Sequence, residues 1–423
     1  MVSILLFTFL IILFVINVPI AVALGLSAAL VFIITGDVPL LVVIQDMYNA
    51  VDSFPLMAVP FFILAGKLME TGGISERLIA FASTMVGRMR GGLGLVSIIT
   101  CIFFAAISGS SAATAAAVGS IMIPAMVKKG YDANFSGAIQ ASGGTVGVMI
   151  PPSIPLVLYG VAAGASISDL FIAGIGPGIL VGLSLMVMAY FISRKHNFGG
   201  GEKSSFVDFL KAFKNSIWGL LMPVIILGGI YGGIFTPTEA AVVAVVYGLI
   251  IGLFVYKEIK WKDLSRIFSE SVITTSIIMF IIATASIFSS LLAREQIPQK
   301  ISAFMLEITD SVVITLIIIN ILLLIVGTFM ETSAAIIILT PILAPVVMMM
   351  GVNPVHFGII MVVNLAIGMV TPPVGINLFI VTNIAKDVRF EKLVRAVVPF
   401  LIIMVVDILL ITFIPSISLF LID

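Results

Sequence analysis

Charge, cysteine and histidine are all scarce in this sequence. Only 10% of its 423 residues are charged, whereas soluble domains average about 25%. Basic and acidic residues balance, so the formal net charge is zero and nothing indicates nucleic-acid binding. The single cysteine, Cys101, excludes an internal disulfide and a cysteine-based metal centre. The two histidines, His196 and His356, lie far apart and do not indicate a metal centre.

Apolar residues dominate the chain instead. They make up 61% of it, and the mean hydropathy of +1.29 indicates an integral membrane protein. The apolar runs are long and interrupted by Gly and Pro, unlike the ~10-residue alternating segments of a transmembrane barrel. The sequence therefore predicts an all-α membrane protein, a multi-span helical bundle. No basic segment precedes the first run, which favours a first helix over a cleaved signal.

Hydropathy divides the chain into spans, hairpins and interfacial pieces. The predicted spans lie near 2–17, 19–35, 55–71, 132–164, 168–193, 217–235, 238–256, 268–293, 354–385 and 396–421. Two further apolar pairs, 92–127 and 312–350, each fold back at a small polar tip. Amphipathic segments at 74–90, 204–216 and 296–308 are expected to lie along the membrane surface.

Basic residues predict the orientation. Lys and Arg cluster around the first hairpin and at 194–214, 257–262 and 386–395, and short basic loops stay cytoplasmic. Counting crossings puts these clusters on one side, with both termini outside; Arg294 and Lys300 are exceptions. The first hairpin then opens to the cytoplasm and the second opens outward. A re-entrant hairpin and a pair of full spans both return the chain to the side from which it entered. The distribution of basic residues therefore does not distinguish these two structures for either hairpin.

The two halves of the chain resemble each other. "VMIPPSIPLVLYG" from Val148 is similar to "MVTPPVGINLFIV" from Met369, 221 positions later, and "SAATAAAVGSIMIPAM" from Ser111 is similar to "SAAIIILTPILAPVV" from Ser333. Further pairs begin at Val18 and Thr236 and at 64 and 291. Five crossings per half is an odd number, so the halves are expected to insert in opposite orientations. Inverted repeats of this kind are typical of secondary transporters.

Each half offers a hairpin tip and a broken helix where chemistry could occur. The tips are "AISGSSAATA" (106–115) and "GTFMETSAA" (327–335), and the breaks are "ASGGTVGVMIPPS" (141–153) and "NLAIGMVTPPVGIN" (364–377). Unpaired carbonyls and hydroxyls there suit Na⁺, and helix N-termini suit a carboxylate. An ionisable group inside a membrane protein, such as Glu331, is a functional candidate. No Walker A, HExxH or serine–histidine constellation appears, so we expect no enzyme and no ATP hydrolysis.

The chain resembles the large membrane subunit (DctM type, M subunit) of tripartite ATP-independent periplasmic (TRAP) transporters over essentially its whole length. The residues that carry this resemblance are "DSFPLMAVPFFILAGKLMETGGISERL" (52–78), "SGSSAATAAAVG" (108–119), "MIPPSIPLVLYG" (149–160), "FTPTEAAVVA" (235–244) and "MVTPPVGINLF" (369–379). The resemblance implies a bacterial inner-membrane, Na⁺-coupled importer of organic acids. It also implies two partners, a small four-helix membrane subunit on a separate chain and a periplasmic substrate-binding protein.

The resemblance further implies an elevator mechanism, in which a transport domain moves against a scaffold. The scaffold is expected to contain helices in 1–53, helices and a cytoplasmic loop in 168–270, and a C-terminal helix in 396–423. The first transport half is 54–167, with hairpin 92–127 and broken helix 132–164. The second transport half is 271–395, with hairpin 312–350 and broken helix 354–385.

Carrying the family's sites over by position gives candidate ligands for two or more Na⁺ ions and for the substrate. One Na⁺ site would involve Ser108, Ser110, Gly144, Thr145 and Gly147. The second would involve Gly327, Thr328, Thr332, Gly368 and Thr371. The residues expected to face the substrate are Ser111, Ser153, Gly375 and Asn377. Many ligand atoms are expected to be main-chain carbonyls, although the hydroxyls of Thr145 and Thr371 are also expected to support Na⁺ dependence.

Two other functions stay open at this point. A stand-alone Na⁺–carboxylate symporter could share the architecture, and a channel is a more distant alternative. The substrate could be sialic acid or a C4-dicarboxylate, with sialic acid preferred on general resemblance alone.

Overall fold

The computed structural model describes residues 2–36, 39–199, 205–309 and 311–422. All regular secondary structure within these ranges is helical, and nine of the described helices are long and apolar enough to cross a membrane. The predicted all-α membrane fold is therefore confirmed. Met1, Asp423 and part of the basic 194–214 loop, at 200–204, lie outside the described residues.

The described residues of the first half form ten α-helices. They are α1 (Val2–Val15), α2 (Ile20–Thr35), α3 (Leu40–Val51), α4 (Ala58–Thr71), α5 (Ile74–Val86), α6 (Gly92–Ser108), α7 (Ser111–Lys128), α8 (Ala133–Thr145), α9 (Ile154–Ala163) and α10 (Ile167–Lys195). The predicted hairpin is α6 and α7, and the predicted broken helix is α8 and α9. A 3-10 turn at Val146–Val148 and the prolines that follow it separate α8 from α9. The sequence did not predict α3.

The second half repeats this plan. Its helices are α11 (Phe206–Tyr231), α12 (Pro237–Ile250) with a π-helical end at Ile251–Val255, α13 (Trp261–Arg294), α14 (Ile297–Ile308), α15 (Val312–Phe329), α16 (Thr332–Met349), α17 (Pro354–Gly368), α18 (Ile376–Ile384), α19 (Phe390–Phe413) and α20 (Ser416–Leu419). The expected surface helix 204–216 is wrong as a separate element. A Ser205–Asp208 capping box starts α11, and no Gly or Pro interrupts it before Gly219, so it continues into the span.

The spacing of the helices confirms the internal repeat. Helix α6 begins at Gly92 and α15 at Val312, 220 positions later. Helix α10 begins at Ile167 and α19 at Phe390, 223 positions later. Between these points each half has a hairpin followed by a broken helix. The sequence similarity therefore reflects a duplicated structural unit.

Packing separates two groups of helices. Helix α13 packs against α2, α3 and α4, and α4 packs against α12. The hairpins pack mainly on the broken helices, with α7 against α8 and α18, α15 against α17, and α16 against α9. Helices α10 and α19, which the sequence expectation assigned to the scaffold, pack against α8, α17 and each other. The contacts therefore group both with the broken helices, and the division into moving and fixed parts stays a prediction.

Candidate functional site

The first hairpin tip is built from hydroxyls and main-chain carbonyls. Gly109 turns the chain with a left-handed φ of 60°, and Ser110 caps α7 by accepting from the Ala113 amide at 3.4 Å. The Thr114 hydroxyl lies 2.8 Å from both the Ser108 hydroxyl and the Ser110 carbonyl oxygen. Three oxygen atoms from different residues thus converge below the tip.

The first helix break lies directly against this tip. A Cβ added to Gly147 would lie 2.5 Å from the Thr114 Oγ1 and 2.6 Å from the Ser110 carbonyl oxygen, so only glycine fits there. On the other side, a Cβ on Gly109 would lie 2.8 Å from the carbonyl oxygen of Pro152. The tip and the break therefore form one close-packed unit.

The second tip occupies the corresponding position in the second half, but it is capped by a different chemical group. Glu331 corresponds to Ser110, 221 positions earlier, and caps α16. Its carboxylate accepts from the Ser333 amide at 2.8 Å and from the Ala334 amide at 3.3 Å. A neutral hydroxyl therefore caps one hairpin and a carboxylate caps the other.

The second break also closes against its own tip. The Gly375 amide donates to the Thr328 carbonyl oxygen at 3.2 Å, and Gly375 has a left-handed φ of 60°. A Cβ on Gly368 would lie 2.6 Å from the backbone of Gly327. The Thr332 hydroxyl lies 3.1 Å from the Met369 Sδ. Tip and break are again in direct contact.

Asn377 joins the two halves. Its side-chain nitrogen donates to the Ser111 hydroxyl at 2.8 Å and to the Ala141 carbonyl oxygen at 3.1 Å. A Cβ on Gly144 would lie 3.2 Å from this same nitrogen. The Asn377 side-chain oxygen is buried and has no hydrogen-bond partner among the described residues. The start of α18 thus reaches the first tip and the first broken helix together.

A cavity of about 410 Å³ lies where both tips meet α2, α4 and α13. Its polar lining groups are Lys67, Glu70, Ser108, Ser110, Thr274, Glu331 and Ser333. The N-terminal residues of three helices also line it, at Ala112 and Ala113 of α7, Ile154 and Pro155 of α9, and Ser333 and Ala334 of α16. The volume is in the range typical of small-molecule sites.

The structure places the predicted site residues in four environments. Ser108 and Ser110 line the cavity, whereas Ser111, Ser153 and Asn377 are buried behind it. The glycines at 144, 147, 327, 368 and 375 lie where tips, breaks and Asn377 come closest. The hydroxyls of Thr145 and Thr328 donate to carbonyl oxygens of their own helices, at Ser142 and Leu324, and the Thr371 hydroxyl donates to the Ile367 carbonyl oxygen near the end of α17. Each of these hydroxyls uses only its hydrogen in that bond and keeps its oxygen lone pairs, so the Na⁺ role of the three threonines stays a prediction.

Sequence reasoning missed Thr114 and the position of Lys67 at the cavity. Thr114 lies four residues after Ser110, one helical turn into α7, so helical spacing could have identified it. Lys67 reaches the cavity from α4, a contact that no local pattern predicts.

The first tip has the chemistry that a monovalent cation needs. Its converging atoms are neutral oxygens, and the space next to them is one that a Cβ at Gly147 would fill. Carbonyls of interrupted helices coordinate Na⁺ in secondary transporters. Within the described ranges, no group of three His, Cys, Asp or Glu side chains could hold a metal. In the second predicted Na⁺ site, the hydroxyls of Thr328 and Thr371 donate to main-chain carbonyls and that of Thr332 contacts the Met369 Sδ. The groups available to a cation there are main-chain carbonyls and the lone pairs of these hydroxyls.

Comparison with known proteins identifies the family. The profile of the "Tripartite ATP-independent periplasmic transporter, DctM component" matches residues 7–417. An isethionate TRAP permease (DctMQ) of Oleidesulfovibrio alaskensis is 49% identical over 96% of this chain, which spans 64% of that longer protein. The C4-dicarboxylate large permease DctM of Pseudomonas aeruginosa is 45% identical over 94% of this chain and 93% of its own length.

Two further proteins extend the comparison. The sialic acid large permease SiaM of Vibrio cholerae is 39% identical over 96% of this chain and 95% of its own length. The crystal structure of the Alcanivorax borkumensis YdaH transporter superposes with a TM-score of 0.65 at 15% identity, covering 88% of this chain and 86% of that one, and so shares the fold. The family match and the full-length relatives show that this chain belongs to the DctM family of TRAP transporter membrane components.

Proposed function

We propose that this chain is the Na⁺-coupled transport subunit of a bacterial inner-membrane importer of organic acids. The observation that supports this best is the cavity between the two hairpin tips and helices α4 and α13. A site shared by two repeats and bounded by a separate helix group is what an alternating-access carrier requires. The two halves would insert in opposite orientations, with both termini periplasmic.

The helix caps suggest where the acidic group of the substrate binds. Helix N-termini attract anions, and α7 and α9 have neutral caps, Ser110 and Ser153. The N-terminus of α16 already holds the carboxylate of Glu331. We therefore place the substrate's acidic group at α7 and α9, with Glu331 facing hydrogen-bond donors elsewhere on the substrate.

The substrate class is an organic acid of modest size. The relatives are named for isethionate, C4-dicarboxylates and sialic acid, and the cavity volume accommodates molecules of this class. The relatives named for isethionate and C4-dicarboxylates have higher identity to this chain than SiaM, so the sequence-based preference for sialic acid gains no support. Isethionate, succinate and N-acetylneuraminate form the test panel.

The moving body of the proposed elevator would contain the hairpins, the broken helices, α10 and α19. The last two pack on α8 and α17, so sliding the broken helices past them would disrupt a large buried interface. The fixed body would then contain α2, α3, α4, α12 and most of α13. This division changes the sequence expectation for α10 and α19, which 168–270 and 396–423 had assigned to the scaffold. It also changes it for α4 and for the part of α13 after residue 270, which 54–167 and 271–395 had assigned to the transport halves.

The proposal is tested by reconstitution. The chain, a small membrane subunit and a periplasmic binding protein loaded with one labelled panel acid are combined in liposomes with an inward Na⁺ gradient. We expect saturable, uphill uptake that requires both partners and stops when K⁺ replaces Na⁺. Uptake that ignores the Na⁺ gradient would refute coupling. Full uptake of free substrate by the chain alone would favour a stand-alone symporter, and non-saturating downhill flux would favour a channel.

Replacing Thr114 by Val should weaken Na⁺ activation of uptake by about tenfold. The change removes a hydroxyl that contacts both Ser108 and Ser110, and a lost interaction of about 1.4 kcal/mol is a tenfold change. Thr145→Val is the comparison variant, since its hydroxyl contacts the Ser142 carbonyl oxygen and the Met404 Sδ rather than the three oxygens below the first tip, and its Na⁺ activation should stay within twofold of wild type. The measurement is the half-activating Na⁺ concentration, and a value for Thr114→Val equal to that of wild type would exclude the Thr114 hydroxyl from the ion site.

A further inference from the structure

Lys67 is the one basic side chain among the described residues that line the cavity. Its Nζ lies 3.2 Å from a Glu70 carboxylate oxygen on α4 and 3.6 Å from a Glu270 carboxylate oxygen on α13. The side chains of all three residues are partly exposed, at 34% for Lys67, 30% for Glu70 and 48% for Glu270. Lys67 therefore sits in an accessible, doubly paired arrangement at the wall of the cavity.

Partly exposed ion pairs of this kind are weak because water screens them. Exchanging one carboxylate partner of Lys67 for another anion therefore requires little free energy. Glu270 is the more exposed partner and the more distant one. It is the partner that an incoming acid would replace most easily.

We infer that Lys67 is a counter-ion for the acidic group of the substrate, and that Glu270 neutralises it while the cavity is empty. This inference rests on the proposed function of the cavity. A carboxylate or sulfonate leaving the first tip would replace Glu270 at the Lys67 ammonium group, so the number of ion pairs is unchanged. Because Lys67 belongs to α4 and the tips do not, this contact forms only when the tips lie beside α4, as they do here.

The alternative role for Lys67 is structural, as one partner of an ion pair that holds α4 and α13 together. The two roles make opposite predictions for Glu270→Gln. A structural ion pair is broken equally by removing either partner, so Glu270→Gln would then reproduce the effect of Lys67→Met. A counter-ion becomes more available when its competitor is neutralised, so Glu270→Gln would then strengthen substrate binding or leave it unchanged.

The experiment uses the reconstituted complex and the panel acid that the wild type transports. Exchange of labelled acid is measured in liposomes preloaded with increasing unlabelled acid, which gives a half-saturating concentration and a maximal rate. Lys67→Met should raise the half-saturating concentration about tenfold with the maximal rate within twofold. Lys67→Arg should have the half-saturating concentration of wild type, and Glu270→Gln should have a half-saturating concentration equal to or below that of wild type.

Arg77→Met is the matched control. Arg77 pairs with Glu258 at 3.1 Å but does not line the cavity, so its half-saturating concentration should match wild type. The inference would be overturned, and the proposed function left intact, by either of two results. One is a wild-type half-saturating concentration for Lys67→Met, and the other is a rise in that concentration for Glu270→Gln equal to the rise for Lys67→Met. Failure of the wild type to exchange any of the three acids would overturn both the proposed function and the inference.

Discussion

Substituting Asn377 with Leu is expected to lower substrate uptake about a hundredfold. The Asn377 amide holds the first tip through Ser111 and the first broken helix through the Ala141 carbonyl. Leucine has a similar size but removes both donors and leaves a buried hydroxyl and a buried carbonyl with one partner fewer. Each such loss costs about 1–3 kcal/mol, and two together correspond to about a hundredfold change. The measurement is the initial rate of uptake per folded complex.

Two further variants make this result interpretable. Asn383→Leu changes the same residue type on the same helix at an exposed position, and its uptake should be close to wild type. Ser111→Ala removes only one of the two contacts, so it should lie between wild type and Asn377→Leu. If Asn377→Leu folds normally and transports like Asn383→Leu, the bond between the two halves has no role in transport.

Substituting Gly368 with Ala is expected to destabilise the protein by about 1–3 kcal/mol, the usual cost of overpacking. The new methyl group would lie 2.6 Å from the main chain of Gly327, and no rotamer change can relieve a contact with backbone. Helices α15 and α17 would have to separate, which would open the second tip. The measurement is the apparent unfolding temperature of the purified protein in detergent.

Gly228→Ala provides the comparison for this prediction. Gly228 lies within helix α11, and a Cβ there would have no neighbour within 4 Å in the part of the chain that the structure describes. Alanine is favoured over glycine in a helix, so this variant should unfold at or above the wild-type temperature. Equal unfolding temperatures for Gly368→Ala and Gly228→Ala would show that the close approach of α15 and α17 does not limit stability.

The local features of the site were predictable from the sequence. Small polar tips, paired prolines and the repeat spacing identified both hairpins and both broken helices, because glycine, proline and serine act on the backbone within a few residues. Glu331 was recognised as exceptional because ionisable groups are rare inside membrane proteins. The structure adds that its carboxylate caps α16, which a Glu placed just before a helix start is suited to do.

The contacts between distant segments were not predictable. Asn377 and Ser111 are 266 positions apart, and nothing in either segment specifies the other as its partner. The direction of the Thr145 hydroxyl depends on the local helix, where the Ser142 carbonyl is the nearest acceptor. The packing of α10 and α19 on the broken helices likewise depends on tertiary contacts, which apolar spans of similar composition do not reveal.

The central claim is that organic acid and Na⁺ cross the membrane together through this site. The most direct measurement is the entry of labelled Na⁺ into proteoliposomes that contain the complete transporter, with equal Na⁺ on both sides and acid-loaded binding protein outside. We expect acid to stimulate Na⁺ entry in the wild type and Asn377→Leu to lose that stimulation. Acid uptake at the normal rate without accompanying Na⁺ entry would contradict the account.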